Sequence, residues 1–399
     1  MDIRYIDTRG IVTEPLKFSQ AVIKGIAPGG GLFVPEQVPT MTLDEIVALG
    51  KLPYKQQAAT IYELFGIDFT REEIDKLFDI IYADNFDTPA IAPVVPVGED
   101  GTYVLELWHG PTSAFKDMAL QCLPVFFSAS IEKQRAEGGP SCDYLIAVAT
   151  SGGTGKAALE GFKDRDHISI VVFYPDGGVS DIQYKQMATQ TGDNVTVYGV
   201  RGNFDDCQTS VKQMFNDKEF NEVLAASDNV VLSSANSINW GRLMPQIVYY
   251  VSAYAQLVAQ GALEAGQPMD VTVPTGNFGN ILASWYAKQM GVPIGTIVCA
   301  SNQNRVLTDF IHEGTYTIKD REFVLTSSPS MDILISSNLE RQLFELTGRD
   351  GAKVAEWMRQ LSTTGSFTID DETFAALTSQ YRAGSVSDEA SLETIKQVM

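Results

Sequence analysis

Lys116 is the side chain in this sequence best equipped for covalent chemistry. It lies in the run Trp-His-Gly-Pro-Thr-Ser-Ala-Phe-Lys-Asp at 108–117. A Gly-Pro turn and small residues precede it, and a largely apolar stretch at 118–127 follows, so the pattern reads as turn, then helix, with the lysine near the helix N-terminus. A cation is badly placed there, because the helix dipole presents partial positive charge at that end. Burial pushes in the same direction, toward the neutral amine. A neutral lysine amine is a nucleophile whose commonest task is a Schiff base with a carbonyl. The competing reading is a snorkelling lysine paired with Asp117, and spacing alone leaves both open.

Two Gly-rich loops stand where an anion could be held. Thr150-Ser151-Gly152-Gly153-Thr154-Gly155 follows an apolar run and precedes a helical pattern. Glycines let the backbone approach a ligand and free amides face an anion. The loop is not a nucleotide P-loop, since Thr150 replaces the first glycine and Ala157 the magnesium-binding hydroxyl. It reads as an anion cradle or as a well-capped strand–helix turn. Pro274-Thr275-Gly276-Asn277-Phe278-Gly279-Asn280 is a second strand–loop–helix passage able to hold a phosphate on backbone amides. Between them, the polar run at 233–242 ends in Arg242, which could bind a phosphate or carboxylate bidentately or pair with a structural carboxylate. Two cradles and one helix-start lysine together imply a ligand carrying a phosphate and an aldehyde, beside a second anionic group. His109, close to Lys116, reads as a packed residue with a polar contact. The polar-apolar stretch at 330–338 shows no assignable chemistry.

The elements that must position these groups are legible from about residue 90. Short apolar, β-branched runs at 144–149, 168–174, 195–200, 271–273 and 296–300 alternate with helical patterns at 205–216, 247–257 and 281–290. That is the signature of parallel sheets with crossover helices, whose ligands bind at the carboxyl ends of strands. Residues 1–90 read as a mostly helical segment, with Phe18, Ala21, Val22 and Ile26 at helical spacing and an extended exit at 32–35. The 399 residues allow two or three domains. A net charge of -21 argues against nucleic acid and anionic membrane surfaces, though not against a small anionic substrate. No apolar run is long enough to span a bilayer. The four cysteines lack a CxxC spacing and the three histidines lack a metal spacing, so no metal is expected and a cytoplasmic location is.

Taken in order, the stretches 31–35, 109–117, 150–155, 233–242, 276–280 and 330–333 resemble threonine synthase, a pyridoxal-phosphate enzyme family of the tryptophan-synthase-β fold type (fold type II). The resemblance covers nearly the whole chain. It implies two open, mainly parallel-sheet α/β domains. Residues 91–117 and 241–399 would form the larger cofactor domain, with a smaller α/β domain, 118–240, inserted in it. Lys116 looks like the lysine that carries the cofactor and shuttles protons. Gly276, Asn277, Phe278, Gly279 and Asn280 resemble the loop holding the cofactor phosphate. Ser151, Gly152, Thr154 and Gly155 resemble the loop that receives the substrate carboxylate or faces the cofactor ring. Gly153 departs from the Asp or Asn usual in the wider fold type. Asn239 and Arg242 are assigned to the substrate phosphate.

The resemblance implies conversion of O-phospho-L-homoserine and water to L-threonine and phosphate. Two alternatives stand beside it. One is a phospho-lyase on the same scaffold, giving 2-oxobutyrate. The other is a cofactor-binding chain with little activity, because family members continue through a His-Thr-Ala segment that is expected to meet the pyridine nitrogen and that this sequence lacks. On that reading the chain is a fragment or ends differently. Oligomeric state is not legible.

Overall fold

A computed structural model describes residues 2–150 and 152–398. Two parallel sheets form its framework. In the first, the strands Val195–Val200, Ile168–Pro175, Asp143–Ala149 and Val230–Ser233 lie side by side in that order. In the second, Tyr381–Ser385 and Met269–Pro274 flank Ile294–Ser301. The fold is therefore of the expected α/β class, with two open parallel sheets and a largely helical N-terminal region. Five of the seven strands coincide with β-branched runs. Tyr381–Ser385 has the sequence Tyr-Arg-Ala-Gly-Ser, with no intrinsic strand preference, and it extends only because the exposed ladder of Ile294–Ser301 pairs with it.

The N-terminal region contributes four helices, Phe18–Lys24, Leu43–Leu49, Tyr54–Leu64 and Arg71–Ile81, and a strand pair, Tyr5–Asp7 with Phe33–Pro35. Thr42 with Glu45 and Thr70 with Glu73 form reciprocal capping boxes that start two of these helices. Ile26 falls outside the first helix, contrary to its spacing. Gly25 at φ 69° ends the helix at Lys24 and leaves Ile26 at 36% exposure. The region docks through an aromatic cluster, with Tyr62 centred 4.8 Å from Phe126 and 4.9 Å from Phe78.

The apolar stretch after Lys116 is two helices, not one. Asp117–Leu120 ends before Leu123–Ala136 begins. Pro124 has no N–H to give the Leu120 carbonyl four residues back, so the helical ladder breaks there. A different element covers that carbonyl. Helix Gly153–Phe162 brings Gly161 against it so closely that a Cβ on Gly161 would stand 2.0 Å from the Leu120 oxygen and 2.9 Å from Pro124 Cγ. Gly161→Ala should therefore destabilise the chain by about 1–3 kcal/mol, measured as a lowered urea midpoint. An unchanged midpoint would mean that the two helices separate at no cost.

The helix Trp240–Ala259 runs through the centre of the molecule and is buried over most of its length. It begins seven residues earlier than its apolar spacing predicts, because Asn239 caps it and Pro245 is accommodated within the second turn. Among the described residues, no helix is long and apolar enough to cross a membrane.

Candidate active site

Lys116 stands immediately before the helix Asp117–Leu120 and is 9% exposed. The alternative left open by the spacing, an ion pair with Asp117, does not form. Asp117 is wholly buried and spends its carboxylate on Thr112, accepting from the Thr112 amide at 2.8 Å and hydroxyl at 2.7 Å. Gly110 makes room for this turn, since a Cβ there would lie 2.5 Å from Asp117 Cβ. The Lys116 Nζ donates instead to Ser330 Oγ at 2.9 Å and lies 4.9 Å from the Phe115 ring centre. Burial, with the Arg242 charge nearby, brings the amine down to about 8, and Asp117 opposes this only weakly.

The loops converge at the carboxyl ends of the two sheets. Thr150 closes the first loop on itself, its hydroxyl oxygen accepting from the Gly152 and Gly155 amides, each at 2.9 Å. The resemblance gives those residues to the substrate carboxylate or the cofactor ring, whereas their two amides are taken by the Thr150 hydroxyl. The amides of Gly153 and Thr154, in the unpaired first turn of helix Gly153–Phe162, remain available to an anion. A Cβ on Gly153 would meet only Lys116 Nζ, at 3.9 Å, so this helix start opens directly onto the amine. Gly152 has φ 133° and Gln183 packed where its side chain would be, which excludes other residues. Ser151 lies outside the described residues.

The second loop follows strand Met269–Pro274. Gly276 to Asn280 lie past the ladder and before the first helical bond, from the Leu282 amide to the Phe278 carbonyl. Their amides are thus released from secondary structure. Phe278 adopts φ 64° at the helix start and buries its ring against Tyr381. Tyr249 and Tyr250 both donate to Asn280 Oδ1, and Ser337 donates to Asn277 Oδ1. Gly276 lies beneath Ser330 and Met331, and Gly279 beside Asn338 and Gln246.

Arg242 and Asn239 have different fates. Arg242 is 4% exposed and donates from Nη1 to the Ala235 carbonyl at 3.1 Å. Its Nε has no partner, and burial lowers the guanidinium to about 10. Asn239, by contrast, is spent on the fold. Its Nδ2 donates to the Val22 and Ser234 carbonyls, and its Oδ1 accepts from the Gly241 amide. The expectation that it binds substrate phosphate conflicts with these three bonds. Asn239→Ala should cost about 1–3 kcal/mol of stability, and a variant with unchanged melting temperature would restore a ligand role.

Three contributors have no role assigned from the sequence alone, although Thr150 and Ser330 lie in the stretches that carry the resemblance. Ser330 and Thr150 act through hydroxyls whose partners are not set by local spacing. Arg341, wholly buried, donates to the Phe33 and Ile238 carbonyls and to Asn338 Oδ1, tying the segment before Arg242 to the N-terminal strand. His109 bridges Asp87 and Glu106 at the surface. Partial burial would lower it, but the hydrogen bonds to Glu106 and Asp87 prevail and raise it. Among the described residues no cluster of three or more His, Cys, Asp or Glu could hold a metal ion.

The residues present fit pyridoxal phosphate. A buried amine with no carboxylate partner among the described residues adjoins an opening at Gly153, and a loop of released amides could take a phosphate dianion. Comparison with known proteins agrees. Residues 4–82 match the family described as threonine synthase N terminus, and residues 88–392 the family of pyridoxal-phosphate dependent enzymes. The human protein threonine synthase-like 1 is 44% identical over 381 residues, 92% of this chain and 50% of its own. Threonine synthase of Pseudomonas aeruginosa is 38% identical over 398 residues, 99% of this chain and 80% of its own. The crystal structure of pyridoxal-phosphate-bound threonine synthase from Brucella melitensis superposes with a TM-score of 0.89 at 39% identity, covering 100% of this chain and 81% of that one. The chain spans about half the length of the first curated relatives it matches. With both family matches and these relatives extending over nearly all of its residues, the chain belongs to the threonine synthase family of pyridoxal-phosphate-dependent enzymes.

Proposed function

We propose that this chain converts O-phospho-L-homoserine and water to L-threonine and phosphate. The observation that carries the reading is Arg242, a buried guanidinium that has no carboxylate partner among the described residues and lies near enough to Lys116 to lower its pKa. A site that needed only a cofactor phosphate would be served by the loop at Gly276–Asn280. A second buried cation suits a substrate with its own phosphate.

In this reading Lys116 holds the cofactor, and the amides of Gly276, Asn277, Phe278, Gly279 and Asn280 hold its phosphate. Bound pyridoxal phosphate supplies an electron sink for charge developing on the substrate carbons. The Gly153 and Thr154 amides receive the substrate carboxylate. Released Lys116, with a pKa of about 8, is neutral in roughly a tenth of molecules at pH 7 and can take a proton at Nζ and return it. Arg242 holds the departing phosphate. Strands Asp143–Ala149 to Val230–Ser233 form one sheet, which supports an inserted unit at 118–240. Four buried free cysteines support work in the cytoplasm.

The test is to incubate the purified chain with pyridoxal phosphate and O-phospho-L-homoserine and to assay phosphate, threonine and 2-oxobutyrate. Phosphate with threonine is the expected result. Phosphate with 2-oxobutyrate would make it the phospho-lyase, and visible cofactor absorbance without phosphate would make it a binding protein of little activity.

A further inference from the structure

No step above uses Ser330, yet it touches the reactive amine. Its hydroxyl accepts from Lys116 Nζ at 2.9 Å across 214 residues of sequence. The turn that carries it, Pro329–Met331, belongs to a strap fixed at both ends. On one side Asp332 is buried and accepts from Asn302 Nδ2 at 2.7 Å, Asn304 Nδ2 at 3.1 Å, and the Thr326 hydroxyl and amide at 2.7 and 3.0 Å. On the other, the Ser327 amide and hydroxyl bond to Asp388 at the start of helix Asp388–Val398. The strap rests on the second loop, with the Ser330 carbonyl 3.1 Å and Met331 Cα 3.3 Å from where a Gly276 side chain would begin. Ser330 faces solvent on its outer side, while Lys116 beneath it is buried.

We infer that Ser330 is a positioning residue for Lys116, its hydroxyl holding the free amine at the mouth of the site between one covalent engagement and the next. The inference rests on the reading of Lys116 as the cofactor-bearing lysine. A lysine amine hangs on a flexible four-carbon stem, and without a partner it would sample many directions. Two charged groups act on Nζ, and neither aims it. Arg242 repels it, and Asp117 attracts it while committed to Thr112. The directional bond comes from the strap, whose anchors at Asp332 and Asp388 fix where Oγ lies. A charged amine is also stabilised by that acceptor, so its removal favours the neutral form.

The experiment uses the cofactor-free full chain. Lys116 acetylation by acetic anhydride is followed by mass spectrometry across pH in the parent, Ser330→Ala and Ser330→Thr. The Ala variant should be half-reactive about 0.5–1 pH unit below the parent, and the Thr variant, which keeps the hydroxyl, should return to the parent value. Equal half-points in parent and Ala variant, both folded by circular dichroism, would overturn the inference. The underlying reading is tested separately, by adding pyridoxal phosphate to unmodified parent and Lys116→Met. Visible absorbance confined to the parent upholds the cofactor-bearing lysine whatever Ser330 does. Its absence from the parent removes that reading, while the half-points still report whether Ser330 holds the amine.

Discussion

Lys116→Met should abolish the visible absorbance of added pyridoxal phosphate and reduce turnover of O-phospho-L-homoserine by at least about 10³-fold, since a covalent anchor and a proton carrier are lost together. The same substitution should change stability in a pH-dependent way. The amine stands at about 8 in the folded chain against an ordinary value of 10.5. Between those values the unfolded chain binds the extra proton, so the stability of the ligand-free parent rises with pH from about 8 to about 10.5. Below that window the buried ammonium costs about 3 kcal/mol. Methionine has a similar volume and no charge, so the variant should be the more stable protein at pH 7 and should lack the alkaline rise. Urea midpoints at pH 7 and pH 10 check this. A variant that retains the absorbance, or a parent whose midpoint is flat across that window, would remove Lys116 from its role.

Arg242→Met is the second large effect. The guanidinium is desolvated, and among the described residues its Nε is unpartnered and no carboxylate pairs with it. Such a charge is a cost to the empty fold, because the solvation it has lost is not restored by a partner. It therefore makes sense as a group awaiting an anion. The variant should lose about 10²- to 10³-fold in kcat/KM for O-phospho-L-homoserine, as expected when one member of a buried charge pair is removed. Cofactor absorbance should persist, because the loop at Gly276–Asn280 is untouched. Removing the nearby charge should also raise the Lys116 amine above its parent value, and the ligand-free chain should be more stable. Unchanged kcat/KM, with cofactor still bound, would assign the substrate phosphate elsewhere.

These two effects share a design. Both Lys116 and Arg242 are costly to bury, and both are held by neutral oxygens, Ser330 Oγ and the Ala235 carbonyl, in place of carboxylates. A carboxylate on either would stabilise the fold and occupy the site. The neighbouring arginine shows the contrast in another way. Arg341 is equally buried but gives its guanidinium to two carbonyls and an amide oxygen, and so serves the architecture.

The sequence by itself determined the parallel α/β framework, because β-branched runs and helical periodicities are properties of neighbouring residues. It also determined the two Gly-rich turns, since close approach and positive φ at Gly152 require the residue type found there. It singled out Lys116 and Arg242 as chemistry-bearing groups but left their partners open. Partnership is a three-dimensional property, and only the tertiary structure decided it. Asn239 reads as a ligand until the Val22 carbonyl, 217 residues away, takes its amide. Gly152 and Gly155 read as cradle residues until the Thr150 hydroxyl takes their amides. The helix after Lys116 reads as continuous until Pro124 breaks it and Gly161 fills the gap. The surroundings of Lys116 are likewise spread across the chain. Its burial, the carboxylate of Asp117 turned to Thr112, and the Ser330 hydroxyl arriving from a distant strap are set by packing between elements, which no local pattern of residues encodes.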